Sequence, residues 1–113
     1  MKAIELTWLE GFESLRVVEA EKPRPGPSQI LIEVKAPGIN FAELELTKGK
    51  YPALKPLPYI FGFEAAGVVA ELDSQVKNVS VGDKITAIVS SGGFADYVPR
   101  FLSCDCVLSL VII

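Results

Sequence analysis

One run constrains this chain more than any other: Phe61-Gly62-Phe63-Glu64-Ala65-Ala66-Gly67-Val68-Val69-Ala70-Glu71-Leu72. It leaves a proline-stiffened loop, Pro56-Leu57-Pro58-Tyr59-Ile60, and becomes an apolar strand. Two glycines interrupt it. Glycine weakens a strand interior, so it marks a bend, a bulge or a close backbone approach. Gly62 and Gly67 are read as bends of a small barrel. The alternative is that they admit a ligand or a second domain. Glu64 lies between them in an apolar setting, where a carboxylate is costly unless paired or neutralised. It is either a residue at or near a site, or a surface Glu on the solvent face of a half-buried strand.

The chain's 113 residues suffice for one domain with a modest core. Half of them are hydrophobic, which excludes a disordered chain. The net charge is −3, and the eleven Lys and Arg are scattered, so no nucleic acid is expected as a partner. No apolar run reaches the length of a membrane span. The start, Met1-Lys2-Ala3-Ile4-Glu5, lacks the apolar core of a signal peptide, and a cytoplasmic protein is expected.

Histidine is absent. The commonest general base and the commonest zinc ligand are therefore missing, and no Ser-His or Cys-His nucleophile pair can be built. Cys104 and Cys106 supply at most half of a tetrahedral site and no disulfide framework. They read as reduced thiols. No metal is expected.

In chain order, residues 2–7 and 15–19 read as strands, with a turn at Gly11. Residues 23–28 form a rigid turn, because three prolines remove donors there. Residues 29–36 alternate, with Ile30, Ile32, Val34 and Ala36 on one face and Leu31, Glu33 and Lys35 on the other, the signature of a half-buried strand. Asn40 with Glu43 three residues on resembles a capping box, and a short helix is expected over 41–47, ending before Gly49. A proline-pinned loop through residues 51–58 suits binding residues. Strands follow over 62–72, 84–89 and 94–98. Asp73-Ser74 and Gly82-Asp83 make turns, and Ser90-Ser91-Gly92-Gly93 a hairpin-type connection. Six or seven short strands and one helix imply an all-β barrel or sandwich-like domain with a small helical insert. The apolar tail from Phe101 to Ile113 reads three ways: a closing strand, an aggregation-prone end, or a segment packed against something this chain lacks.

Five motifs in order carry a resemblance: Asn40-Phe41-Ala42-Glu43; Lys50-Tyr51-Pro52; Phe61-Gly62-Phe63-Glu64-Ala65-Ala66-Gly67-Val68-Val69; Val81-Gly82-Asp83-Lys84-Ile85; and Gly92-Gly93-Phe94-Ala95-Asp96-Tyr97-Val98. Over residues 1–98 the chain resembles the zinc-free quinone oxidoreductases of the medium-chain dehydrogenase/reductase superfamily. The resemblance implies a mostly β fold, the GroES-like, partly open barrel of their catalytic domain, with short and mainly antiparallel strands and one short helix. Residues 99–113 depart from the family pattern. The family's zinc-dependent alcohol dehydrogenases carry Cys at the Asn40 position and His at the Phe63 position, so the resemblance too implies no metal.

In the zinc-free branch the resemblance places Asn40 and Glu43 beside the nicotinamide of NADPH, and Tyr51 in the substrate cleft. The family usually has Asp at the Glu43 position and often Tyr at Glu45. Asn40 and Tyr51 are the candidate catalytic donors, Asn40 and Glu43 the candidate cofactor contacts, and Glu64, Gly62 and Gly67 the nearby structural residues. Asn40 also reads simply as a helix N-cap, and Tyr51 as loop packing. The complete family enzymes add a Rossmann domain with a Gly-rich turn, and C-terminal segments that return to complete the barrel. No G-x-G-x-x-G occurs in this chain. It therefore reads as the front part of such an enzyme: a fragment, a truncated product or a naturally short form. The complete enzyme would reduce a quinone or enone with NADPH. The isolated chain is expected to hold no cofactor and to be inactive. The competing reading is a non-enzymatic barrel module that self-associates through the apolar tail or binds a full-length subunit.

Overall fold

A computed structural model describes residues 1–50, 56–102 and 110–112. Among them every strand pairing is antiparallel. Strands β1 (Lys2–Leu6), β2 (Leu15–Glu19) and β4 (Tyr59–Ile60) form a three-stranded sheet in the order β2-β1-β4. Strands β3 (Gln29–Pro37), β5 (Glu64–Leu72), β6 (Lys84–Ile88), β7 (Tyr97–Phe101) and β8 (Leu110–Ile112) form a second sheet in the order β7-β3-β5-β6-β8. One helix, α1 (Phe41–Thr47), and a 3₁₀ turn at Phe12–Ser14 complete the elements. The two sheets make a barrel that does not close.

One face of β3 behaves as its alternation requires, with Ile30 and Ile32 in the main core. Leu31, expected on the outer face, is fully buried as well. The first half of β3 is thus covered on both faces, and Ile30, Leu31 and Ile32 form a continuous buried run instead of an alternating one. That core is built from Ile30, Ile32, Ala65, Val69, Ile85 and Val98, and the connecting segment adds Val76 and Val79 to it. Val81 in the same segment stays 62% exposed.

The hairpin expected at residues 90–93 is absent. β6 pairs with β5 and β8, whereas β7 pairs with β3. Residues 94–96, expected to begin a strand of the same sheet, bond instead to β1. The Ile4 N–H donates to Phe94 O at 2.7 Å, and the Asp96 N–H donates to Lys2 O at 3.0 Å. The Asp96 carbonyl then accepts from the Val34 N–H of β3 at 2.8 Å. The segment thus passes from one sheet to the other at Asp96, a corner of the kind that joins two packed sheets.

β7 also shows why Pro99 is tolerated in a strand. The bonds Val34 N–H to Asp96 O and Leu102 N–H to Ser28 O (2.8 Å) set the phase of the ladder. In that phase Tyr97, Pro99 and Phe101 turn their main-chain groups away from β3. The missing proline N–H therefore falls on the sheet edge, where no ladder bond is lost.

The tail supplies β8, which pairs with β6 in the register Ile85↔Ile112 and Ala87↔Leu110. It extends the sheet rather than closing it.

A polar clamp ties the start of β3 to the end of β5. The Asp73 carboxylate accepts from the Ser28 N–H at 3.0 Å and the Gln75 N–H at 3.2 Å, and the Asp73 N–H donates to Gln29 O at 3.0 Å. The hydrogen bond from Ser28, then that from Gln75, hold the Asp73 carboxyl below its usual value of 3.8. A depressed carboxyl pKa adds stability above the unfolded-state value, and that contribution is lost as pH falls through the folded-state value. The isosteric neutral variant Asp73→Asn should therefore unfold at lower urea than the parent chain at neutral pH. The gap should close in acid below the usual carboxyl range. A gap unchanged across that range would refute the assignment.

Candidate functional site

The site is built where α1, the turn leading into β5 and the 92–94 segment meet. Asn40, at φ −122° and ψ 158°, is the extended residue that opens α1. The helix is brief because its sequence stops it. Gly49, at φ +74°, takes the left-handed conformation that ends a helix, and its N–H donates to Leu46 O at 3.1 Å. Lys50 then folds back, its N–H on Glu45 O at 3.1 Å and its Nζ 3.4 Å from the Glu45 carboxylate. This pair delivers the chain to Tyr51. Tyr51 itself lies outside the described residues.

Glu43, in the first turn of α1, is only 2% exposed. Its Oε2 accepts from the Asn40 N–H at 3.0 Å, and its Oε1 accepts from the Phe63 N–H at 3.2 Å. The expected capping box is therefore present. The second bond has no precursor in the local sequence, since Phe63 is twenty residues away. Two backbone donors, one on each oxygen, are what makes a buried carboxylate tolerable.

The turn that carries Phe63 is held from the other side. Gly92, Gly93 and Phe94 donate in succession to Ile60 O, Gly62 O and Phe61 O at 3.0, 3.0 and 2.9 Å, and the Val89 N–H donates to Phe63 O at 2.7 Å. Backbone lies against backbone here. Gly62 sits at φ +101°, and a Cβ on it would come within 2.6 Å of Phe94 N. A Cβ on Gly93 would come within 2.8 Å of Glu64 O. Phe61, 1% exposed, anchors the turn in a second core with Leu6 and Leu46. Its ring meets Phe63 and Phe94 edge-on at centroid distances of 5.8 and 5.7 Å. Burying such a ring contributes about 2–3 kcal/mol.

Gly67 solves a different packing problem. A Cβ there would strike Glu33 O, beside a register shift between Val34 and Ala36. The close approach is made by β3 of the same chain at a bulge. Glu64 pairs with Ile88 in the ladder, and its carbonyl accepts from the Gly38 N–H at 3.1 Å. Its half-buried side chain lies across Gly38, where a Cβ would strike the carboxylate. Among the described residues that carboxylate has no hydrogen-bond or ion-pair partner.

The structure therefore brings Asn40, Glu43 and the 61–64 turn together, with Gly62 in that turn and Glu64 on its far side. The Asn40 and Phe63 positions share one carboxylate through their main-chain amides. Neither side chain is of a type that binds zinc. Among the described residues no group of three His, Cys, Asp or Glu could hold a metal ion, and no helix is long and apolar enough to cross a membrane.

A separate groove of about 690 Å³ lies between the sheets, lined by residues that include Tyr59, Ile60, Ile88, Ser90, Tyr97 and Phe101. None of Asn40, Glu43, Gly62, Glu64 or Gly67 lines it. Burial raises the Tyr59 hydroxyl above its usual value of 10.0. Sequence reasoning missed this groove and the roles of Gly38 and Gly93. The glycine pair at 92–93 was the one available signal, and it was read as a hairpin turn.

This architecture matches a known domain. The family model for the alcohol dehydrogenase GroES-like domain matches residues 26–104, and the chain belongs to that family. Among relatives, it is 35% identical over 94 residues to the rat synaptic vesicle membrane protein VAT-1 homolog, covering 81% of this chain and 23% of that protein. It is 39% identical over 84 residues to a probable quinone oxidoreductase of Schizosaccharomyces pombe, covering 74% of this chain and 25% of that one. The crystal structure of Escherichia coli quinone oxidoreductase complexed with NADPH superposes with a TM-score of 0.86 at 30% identity, over 100% of this chain and 33% of that one. The chain thus spans about a quarter of the length of these curated relatives. The quinone oxidoreductases among them place it in the medium-chain dehydrogenase/reductase superfamily, as the motifs implied.

Gly62→Ala forces a side chain into the left-handed region and against Phe94 N. A loss of roughly 2–4 kcal/mol is expected in urea unfolding. An unchanged midpoint would show that the contact between residues 62 and 94 is not tight.

Proposed function

We propose that this chain is the N-terminal, catalytic-domain part of an NADPH-dependent reductase of quinones or enones that works without zinc. NADPH, where bound, supplies the hydride. The observation that carries the reading is the pairing of Asn40 and Phe63 on one buried carboxylate, within a fold shared with a quinone oxidoreductase that holds NADPH. In the zinc-dependent alcohol dehydrogenases of the superfamily that the sequence resembles, these two positions bear Cys and His, both metal ligands. Here they bear an amide and a phenyl ring.

The residues present fit the nicotinamide end of the cofactor and not its phosphates. Asn40 is solvent-exposed, so a ligand can reach its side-chain amide although that side chain also caps the helix. No Gly-rich turn in the chain serves a pyrophosphate. On this reading Asn40 and Glu43 form the wall beside the nicotinamide, and Tyr51 and the Asn40 amide are the donors that meet an oxyanion developing on the substrate. Glu64, Gly62 and Gly67 shape the backbone around that wall. Residues 1–98 are the domain proper, and the chain leaves the family pattern from Pro99. The protein is cytoplasmic on this reading.

Alone, the chain should neither hold NADPH tightly nor turn over quinone. Trp8, 69% exposed in the loop after β1, is the single tryptophan and the natural reporter. Titration of NADPH against its fluorescence should give no saturable binding in the micromolar range. Saturation there would overturn the expected inactivity. In a full-length enzyme built on this domain, Tyr51→Phe should lower turnover or raise KM. Unchanged values would remove Tyr51 from the mechanism.

One observation favours a second reading, a non-enzymatic module that self-associates. β8, drawn from the apolar tail, stands at the edge of its sheet. An uncovered strand edge invites a further strand. Sedimentation of the purified chain separates the two: a monomer at all concentrations counts against the module.

A further inference from the structure

The geometry points to a narrower role for Glu43 than the cofactor contact given to it above: it backs the wall rather than facing the ligand, a positioning residue that holds Asn40 and Phe63 in place. This deepens the nicotinamide reading and rests on it, but the observations behind it are independent of any cofactor. Glu43 is 2% exposed, so its carboxylate does not face solvent, whereas Asn40 is exposed. Both of its oxygens are already engaged, Oε2 by the Asn40 N–H and Oε1 by the Phe63 N–H. Each oxygen keeps a second lone pair, but at that burial no ligand reaches it without opening the packing around Glu43.

The two donors come from segments already joined nearby, where the Gly38 N–H donates to Glu64 O at 3.1 Å. Asn40 belongs to the start of α1, and Phe63 to the turn that leads into β5. Glu43 is thus a rigid brace of fixed length between the exposed amide and the aromatic turn. Its length is itself informative. An Asp, one methylene shorter, could hold the Asn40 N–H from the same backbone position but would reach less far towards Phe63. Glu43 is therefore matched to the separation found in this chain.

The test is amide hydrogen exchange in the whole chain, read residue by residue by NMR. Glu43→Gln preserves shape but offers one acceptor oxygen for two donors. Exchange at Asn40 or Phe63 should rise at least tenfold, while the Val34 and Val69 amides, bonded to Asp96 O and Asp83 O, change less than threefold. Glu43→Asp should keep protection at Asn40 and lose it at Phe63, a split that a general loss of packing would not produce. Exchange that rises equally at all four amides, or at none, overturns the brace. A second arm adds millimolar NADPH to the unaltered chain and follows the Glu43 carboxyl carbon. Shifts at Asn40 with a still Glu43 carboxyl support positioning. A shifted Glu43 carboxyl means direct contact and overturns it. If neither moves, the isolated chain holds no NADPH, as expected of it alone, and the exchange data decide whether the brace exists.

Discussion

The fold turns on one residue, Asp96. Its N–H is bonded to β1, its carbonyl to β3, and its carboxylate accepts from the Lys2 N–H at 2.8 Å. A residue whose N–H and C=O serve different sheets ties the two together, because neither sheet can move away without breaking a backbone bond in place. Everything that positions the site follows. With β1 held against residues 94–96, the Phe61 N–H reaches Ile4 O at 2.9 Å, and the 92–94 segment can lie along residues 60–62. The glycines at 62 and 93 then permit the contact to close at backbone distance. An Ala at either position would hold the two segments apart and move Phe63 off the carboxylate behind it.

That chain of contacts gives the buried carboxylate a physical explanation. Desolvating Glu43 is costly, and the cost is offset only where two donors already stand at the right separation. The Asn40 N–H is free because it precedes a helix, whose first amides have no intrahelical acceptor. The Phe63 N–H is free because the residue before it, Gly62, breaks the ladder at positive φ. A helix start and a broken strand thus leave one unpaired donor each, and one side chain satisfies both. The same logic explains why residues without metal-binding chemistry can stand at Asn40 and Phe63 without loosening the turn: what ties these positions together is their main chain, not their side chains.

Much of this was legible in the sequence, and the division between what was and was not has a physical basis. Helix α1 was read at its observed bounds because its signals are local: an Asn, a Glu three residues on, and a Gly beyond the end. β1 to β3 and β5 to β6 were legible for the same reason, through alternation and turn residues. What escaped depends on partners far along the chain. Leu31 looks outward by alternation, yet that face of β3 is covered too, which no local pattern announces. Ser90-Ser91-Gly92-Gly93 has the composition of a hairpin turn, yet Gly93 is glycine because Glu64 O lies where its Cβ would be. Phe63 carries no mark of its bond to Glu43, since a backbone amide is the same in every sequence. The ordered motifs succeeded where local rules failed because a family pattern already encodes those distant contacts.

The same distinction separates what this chain carries from what the proposed activity needs. Its exposed large apolar residues include Ile39 and Phe41, which flank Asn40, and Ile88 and Phe101, which line the groove between the sheets. Scattered singly, such residues need no explanation; gathered beside a candidate site and along an open groove, they are surface that a larger assembly would cover. The polar apparatus on this chain does mechanical work. Glu43 braces, Asp96 joins, Asp73 clamps, and each does so through backbone amides whose geometry is fixed before any ligand arrives. Preorganised amides lower the cost of holding a reactive geometry, but they supply no electrons. A chain built this way makes chemical sense as the wall against which a redox cofactor is held. The part that grips the cofactor's phosphates needs a Gly-rich turn opening a helix, and no such turn is written in these residues.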